Sequence, residues 1–180
     1  MPDLRRVVLF LALAATAVAG LSVASAGEDP AARGAAYLAP FKKDLMAALK
    51  TGIQNGPAAA IDACRIEAPA IADRYSRDDV RIGRSSHRLR NPDNATPDWV
   101  SSTLEAWLAG DAREPVVIEI DADRLGYIEP IATKPLCLTC HGETLTPAIS
   151  ERLDALYPDD EATGFDVGDL RGVFWVEFAP

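Results

Sequence analysis

The sequence predicts an α+β fold, an antiparallel sheet flanked by helices, and three observations carry that prediction. Two long stretches with helical apolar periodicity lead the chain after residue 30. Four short runs rich in β-branched and aromatic residues follow, and shorter helical segments are inserted among them. Residues 27–180 amount to one domain, with no internal repeat and no low-complexity linker.

Residues 31–53 read as the first helix, with Tyr37, Phe41, Leu45 and Leu49 at four-residue intervals and Asn55-Gly56 as the stop. Pro57 opens a second helix that runs to about residue 76. Its apolar face is Ile61, Cys64, Ala68, Ile71 and Tyr75, which places Cys64 inside. Pro69 is expected to kink it, because proline removes a hydrogen bond and crowds the preceding turn. Residues 80–86 suit a strand, and Pro92, Asn94 and Pro97 mark a loop. Residues 97–110 suit a third helix, with Val100, Leu104, Trp107 and Leu108 turned inward. Residues 116–121 and 127–132 read as a hairpin around 121–126. Residues 147–157 make a short helix, and 173–178 close the chain as a strand.

The segment between hairpin and last helix carries the chemistry. Cys137, Cys140 and His141 form CxxCH, the pattern through which a c-type haem is attached. Each thiol takes up one vinyl group as a thioether, and the histidine falls beneath the iron as proximal ligand. By chance the pattern should arise on the order of once in a thousand chains of this size. Three other readings compete. A thioredoxin-like pair needs a βαβ context that is missing upstream. A zinc site needs further ligands, for which only Cys64 and His87 remain. A plain disulfide would close a strained loop.

Haem attachment takes place outside the cytoplasm, and the N-terminus fits export. Arg5 and Arg6 precede an apolar stretch over residues 7–20, and Ala24-Ser25-Ala26 has the form of a cleavage site. Residues 1–26 are therefore expected to be a Sec-type signal peptide, with an uncleaved anchor as the alternative. The product would be periplasmic or secreted, with no membrane span after cleavage. The net charge is −9 for the whole chain and −10 without residues 1–26. Such acidity argues against nucleic acid as a partner and for a basic protein surface.

The sixth ligand decides what such an iron does, and few residues compete for it. Met46, on the first helix beside Leu45, reads as core packing. His87, in "IGRSSHRLRNP", reads as a surface imidazole whose arginine neighbours resist its protonation. Cys64 reads from its position as a small buried hydrophobe, with thiolate ligation open beside it.

Four stretches then agree: "AIDACRIEAPAIA" (60–72), "IGRSSHRLRNPDNATPDW" (82–99), "YIEPIATKPLCLTCHGE" (127–143) and "YPDDEATGFDVGDLRGVFWV" (157–176). Together they resemble a family of cyanobacterial and proteobacterial c-type haem proteins with a PAS-like fold, which occur alone or as the extracytoplasmic input of signalling proteins. The resemblance implies one covalent haem c on Cys137 and Cys140, His141 as one axial ligand and Cys64 as the other. Phe165 stands where the family's Gly-Tyr leads one to expect tyrosine. Two haem propionates would suit Arg84, Arg88 or Arg90; the other use for these arginines is to pair with the chain's own carboxylates or to cap a loop.

Three functions compete. In a redox or gas sensor, loss of Cys64 on reduction would open a site for CO or NO and shift the second helix, with the signal passed to a separate protein partner. A low-potential electron carrier would keep both ligands and dock through its acidic face. A peroxidase-like enzyme, the least favoured, would need a distal acid-base pair, with His87 and a neighbouring arginine as candidates.

Overall fold

A computed structural model describes residues 28–110 and 112–180. The expected signal segment and its cleavage site lie outside those residues. Among the described residues no helix is long and apolar enough to cross a membrane.

Helix α1, Pro30–Gln54, starts where the Asp29 carboxylate accepts from Ala31 N–H at 3.1 Å, and it ends at Asn55. Pro40 lies within it on the exposed side. The hydrogen bond that Pro40 cannot make is therefore lost where water replaces it. The second predicted helix has the expected span but three parts: α2, Pro57–Asp62, a π-helical turn, Ala63–Glu67, and α3, Ala68–Tyr75. Pro69 stands in the first turn of α3. There its missing N–H falls beside the wider π turn, so the expected kink takes the form of a change in helical register.

Strands β1 (Arg81–Ser85), β2 (Val116–Asp121), β3 (Arg124–Ala132) and β4 (Leu170–Phe178) form one antiparallel sheet in the order β1-β4-β3-β2. Both β3 and β4 begin three residues earlier than predicted. The β2–β3 turn is therefore only Ala122-Asp123, closed by the Asp121 carboxylate on Asp123 N–H at 3.0 Å and on Arg124 at 2.7 Å.

Each face of the sheet has its own core. On one, α1 and α3 lay Leu38, Phe41 and Ile71 against Ile82, Tyr127, Val176 and Phe178. On the other, α4 (Asp98–Ala109) packs Val100, Leu104 and Trp107 on Ile128, Leu170 and Val173. Leu108, expected inward, is 43% exposed, because the α4 stripe at steps of three and four ends at Trp107. A third, smaller cluster joins Ile61 of α2 to Ile149 and Leu153 of α6 (Pro147–Leu156), and Cys140 packs against it.

Candidate functional site

Pro135–Cys137 forms a single 3-10 turn that runs into α5, Leu138–His141, so the whole CxxCH lies on one short helical segment. The segment stops at Gly142, whose N–H donates to Leu138 O at 3.1 Å. A Cβ at Gly142 would come within 2.8 Å of that same oxygen, so the close return needs glycine. All three cysteines are free thiols. Burial raises the Cys140 thiol above its usual range; Arg90 opposes this, and the nearby Cys64 and Cys137 add to it.

His141 is held through one ring nitrogen. Its Nδ1 lies 2.6 Å from Ala162 O, which fixes Nδ1 as the donor and leaves Nε2 as the nitrogen with a free lone pair. Burial, then the charges of Arg171 and Arg90, hold the imidazole well below its ordinary pKa. The ring is therefore neutral at physiological pH, the form that can coordinate a metal.

The loop that supplies Ala162 is laced over the CxxCH segment. Gly164 N–H donates to Gly142 O at 3.0 Å and Phe165 N–H to His141 O at 2.9 Å, while Glu161 N–H reaches Leu89 O at 2.8 Å. Arg90 is the hub. Its Nη2 donates to Cys140 O at 2.6 Å and to Ala162 O at 3.3 Å, and its Nε donates to Asp160 at 3.0 Å; the two side chains are 8% and 10% exposed. Arg88 is also occupied. It donates to the carbonyls of Glu161, Thr163 and Gly164 and lies 4.3 Å over the Phe165 ring. Of the three arginines expected to meet propionates, two are thus spent on loop carbonyls and on Asp160.

Phe165 has a place of its own. It is 2% exposed, meets His141 and His87 edge-on at 6.4 and 5.8 Å, and lies under Arg88 and Arg171. A tyrosine there would have to find a partner for its hydroxyl inside this contact. His87 is exposed, as expected of a surface imidazole; partial desolvation where its ring meets Phe165, followed by the charges of Arg88 and Arg171, lowers its pKa.

Cys64 lies on the π turn and is half-buried rather than enclosed. Burial raises the Tyr157 phenol as it does the Cys140 thiol, and Cys64 lies close enough to both to add to the rise. The structure therefore brings together Cys64, Cys137, Cys140, His141, Arg84 and Arg90, with Arg88 joined through Phe165. Met46, expected in the core, is 36% exposed. Its position one residue off the Leu45 stripe turns it away from the sheet. The zinc alternative needs four ligands, and among the described residues no group of three or more His, Cys, Asp and Glu side chains is placed to hold a metal ion.

Sequence reasoning missed Arg171. Arg171 Nη1 donates to Ser86 Oγ at 2.8 Å, and that hydroxyl in turn donates to Arg171 O at 2.7 Å. The following residue explains the contact: Gly172 has φ of 154°, and a Cβ there would stand 2.2 Å from Ser85 O. Only glycine lets β4 begin this close to Ser85-Ser86. The signal available in the sequence was "DLRGVFWV", where an arginine precedes a glycine at the start of a strand.

This arrangement can be set beside known proteins. The Tll0287-like family profile matches residues 24–179. The chain belongs to the Tll0287-like family. Among solved structures it is similar to the crystal structure of the cyanobacterial heme-protein Tll0287, with a TM-score of 0.59 and 22% identity over 84% of this chain and 97% of that one. That likeness supports the α+β architecture of a four-stranded antiparallel sheet with helices on both faces. No curated protein matches the chain.

Proposed function

We propose that this member of the Tll0287-like family is an extracytoplasmic c-type haem protein with a PAS-like fold. Cys137 and Cys140 would hold the porphyrin by thioethers, and His141 and Cys64 would ligate its iron. The observation that carries the reading is the fixed tautomer of His141: the Nδ1 contact to Ala162 O leaves Nε2 free, on the segment that holds both thiols. The match to a family named for a heme-protein supports the same cofactor. When bound, the haem supplies a one-electron couple and an iron able to take small ligands.

The chain's own residues do the rest. Arg90 pins Cys140 O and Ala162 O together, so the proximal imidazole and the attachment segment are held as one unit. Phe165 packs edge-on against His141, and the cluster of Ile61, Ile149 and Leu153 packs against Cys140. Cys64 sits instead on a π turn, a wider helical register that borders regular helix on both sides. Of the two ligands, Cys64 thus has the backbone able to shift, which favours a redox or small-ligand (CO or NO) sensor that signals through a separate partner. The second reading, a soluble electron carrier, is favoured by Leu136. This apolar side chain is 37% exposed directly beside Cys137, where a docking protein would approach.

The test begins with the purified protein from cells able to attach haem. A pyridine haemochrome spectrum and a mass one haem above the polypeptide are expected; colourless material of bare mass would end the proposal. Cys64→Ala is expected to change the ferric spectrum and raise the reduction potential. Unchanged bands would remove Cys64 as a ligand. CO binding to the reduced protein favours the sensor, and a ligand set unaltered by reduction favours the carrier.

A further inference from the structure

Positive charge accumulates beside His141 beyond what the protein itself balances. Arg84, Arg90 and Arg171 all lie near enough to His141 to act on its imidazole, and Arg84 and Arg90 act in the same way on Arg171. Asp160 is the carboxylate that offsets Arg171, and it is already paired with Arg90. Burial and the neighbouring guanidiniums push Arg171 down to about 10, so it stays charged at neutral pH.

The hydrogen bonds show the same imbalance. Arg171 uses Nη1 on Ser86, while its buried Nε has no protein acceptor. Arg84 is half-buried and makes no side-chain hydrogen bond or ion pair among the described residues. It also lines a cleft of about 280 Å³ together with Phe41, Asp73, Asn91, Asp93 and Trp175, so it borders open space, and neither of those two carboxylates bonds to it. A buried charge without a counter-ion is costly, and a guanidinium edge matches a carboxylate in shape and hydrogen-bonding pattern.

We infer that Arg84 and Arg171, rather than Arg88 and Arg90, form a carboxylate-binding pair whose occupants are the two propionates of the haem. The inference rests on the proposed function, selects Arg84 among the arginines that the sequence offered, and adds Arg171, which no local motif marks. The Ser86 hydroxyl and the tight start of β4 preset Arg171 for this role, while Arg88 and Arg90 hold the loop.

The test uses the holoprotein and reads its reduction potential from pH 5 to 9. Arg171→Gln and Arg84→Gln are each expected to lower the potential, because a cation near the iron disfavours the more positive oxidised form. Each should also add a pH dependence near neutrality, because a propionate without its cation holds its proton to higher pH. Arg171→Lys, which keeps the charge, is expected to recover most of the potential. Arg124→Gln, at the β2–β3 turn and paired only with carboxylates there, is expected to change neither quantity. If Arg171→Gln yields too little protein, Arg84→Gln carries the same test, since Arg84 has no protein partner to lose. Potentials of the two glutamine variants that match wild type would overturn the inference. A second arm adds inorganic phosphate to wild type against a chloride control of equal ionic strength. No specific shift is expected; a saturable shift that Arg171→Gln abolishes would show that the pair takes free anions and would overturn the assignment to propionates. A coloured Arg171→Gln with wild-type behaviour defeats this inference alone, whereas a wild type without covalent haem defeats the proposed function beneath it.

Discussion

The space between α1 and the sheet and the space around the CxxCH segment are filled by different means. In the first, Leu38, Phe41, Val176 and Phe178 are at most 1% exposed and pack in one apolar cluster. In the second, a small apolar cluster is surrounded by guanidiniums, loop carbonyls and one carboxylate. The first region is complete as protein. The second contains donors without acceptors and thiols without a bond, the composition expected where a protein is shaped around something else. The comparison predicts that damage to the two regions has separable signatures.

The largest effect is expected in the second region, at Arg90. Arg90→Gln removes the cation from a nearly buried pair and leaves Asp160 without its partner, at a cost of about 3–5 kcal/mol. Because Ala162 O serves both Arg90 and His141, the visible bands should move together with the stability. Chemical denaturation monitored by far-UV dichroism and by absorption tests this. A stable variant with wild-type bands would show that the hub is dispensable.

A matched pair of cavity mutants sharpens the contrast. Phe178→Ala in the large core should cost about 3–5 kcal/mol and leave the visible bands alone. Leu153→Ala, in the small cluster that Cys140 joins, should cost about 2–5 kcal/mol and perturb the bands. The reverse pattern of spectral change would break the distinction between the regions.

The same contrast explains what the sequence revealed. The large core obeys local periodicity: the 3.6-residue pattern located α1 and α4, and β-rich runs located the four strands to within three residues. CxxCH was legible because its residues are contiguous in sequence. The surroundings were not, because they depend on distant partners. Arg90 finds its role through Asp160, 70 residues onward, and Arg171 through Ser86, 85 residues before it. The π turn leaves no periodic signature, since five residues with one extra hydrogen-bond step look like ordinary helix in sequence. Cys64 was placed on the right helix but too deep, for that reason.

The smallest expected effect lies in the large core, at Tyr127. Burial first, then the hydrogen bond to Glu129 at 3.0 Å, push its phenol up to about 12, against about 10 in the unfolded chain. Between those values the unfolded chain has lost a proton that the folded chain keeps. The folded state then binds more protons, so stability falls as pH rises through that window. Denaturation midpoints measured from pH 9 to 11.5 should decline more steeply in wild type than in Tyr127→Phe, while the visible spectra of the two proteins stay alike. Below pH 10 the variant should lack only the Glu129 hydrogen bond, about 1 kcal/mol. Equal slopes would mean that the phenol ionises as freely in the fold as out of it, and that this face of the sheet is wetter than its packing implies.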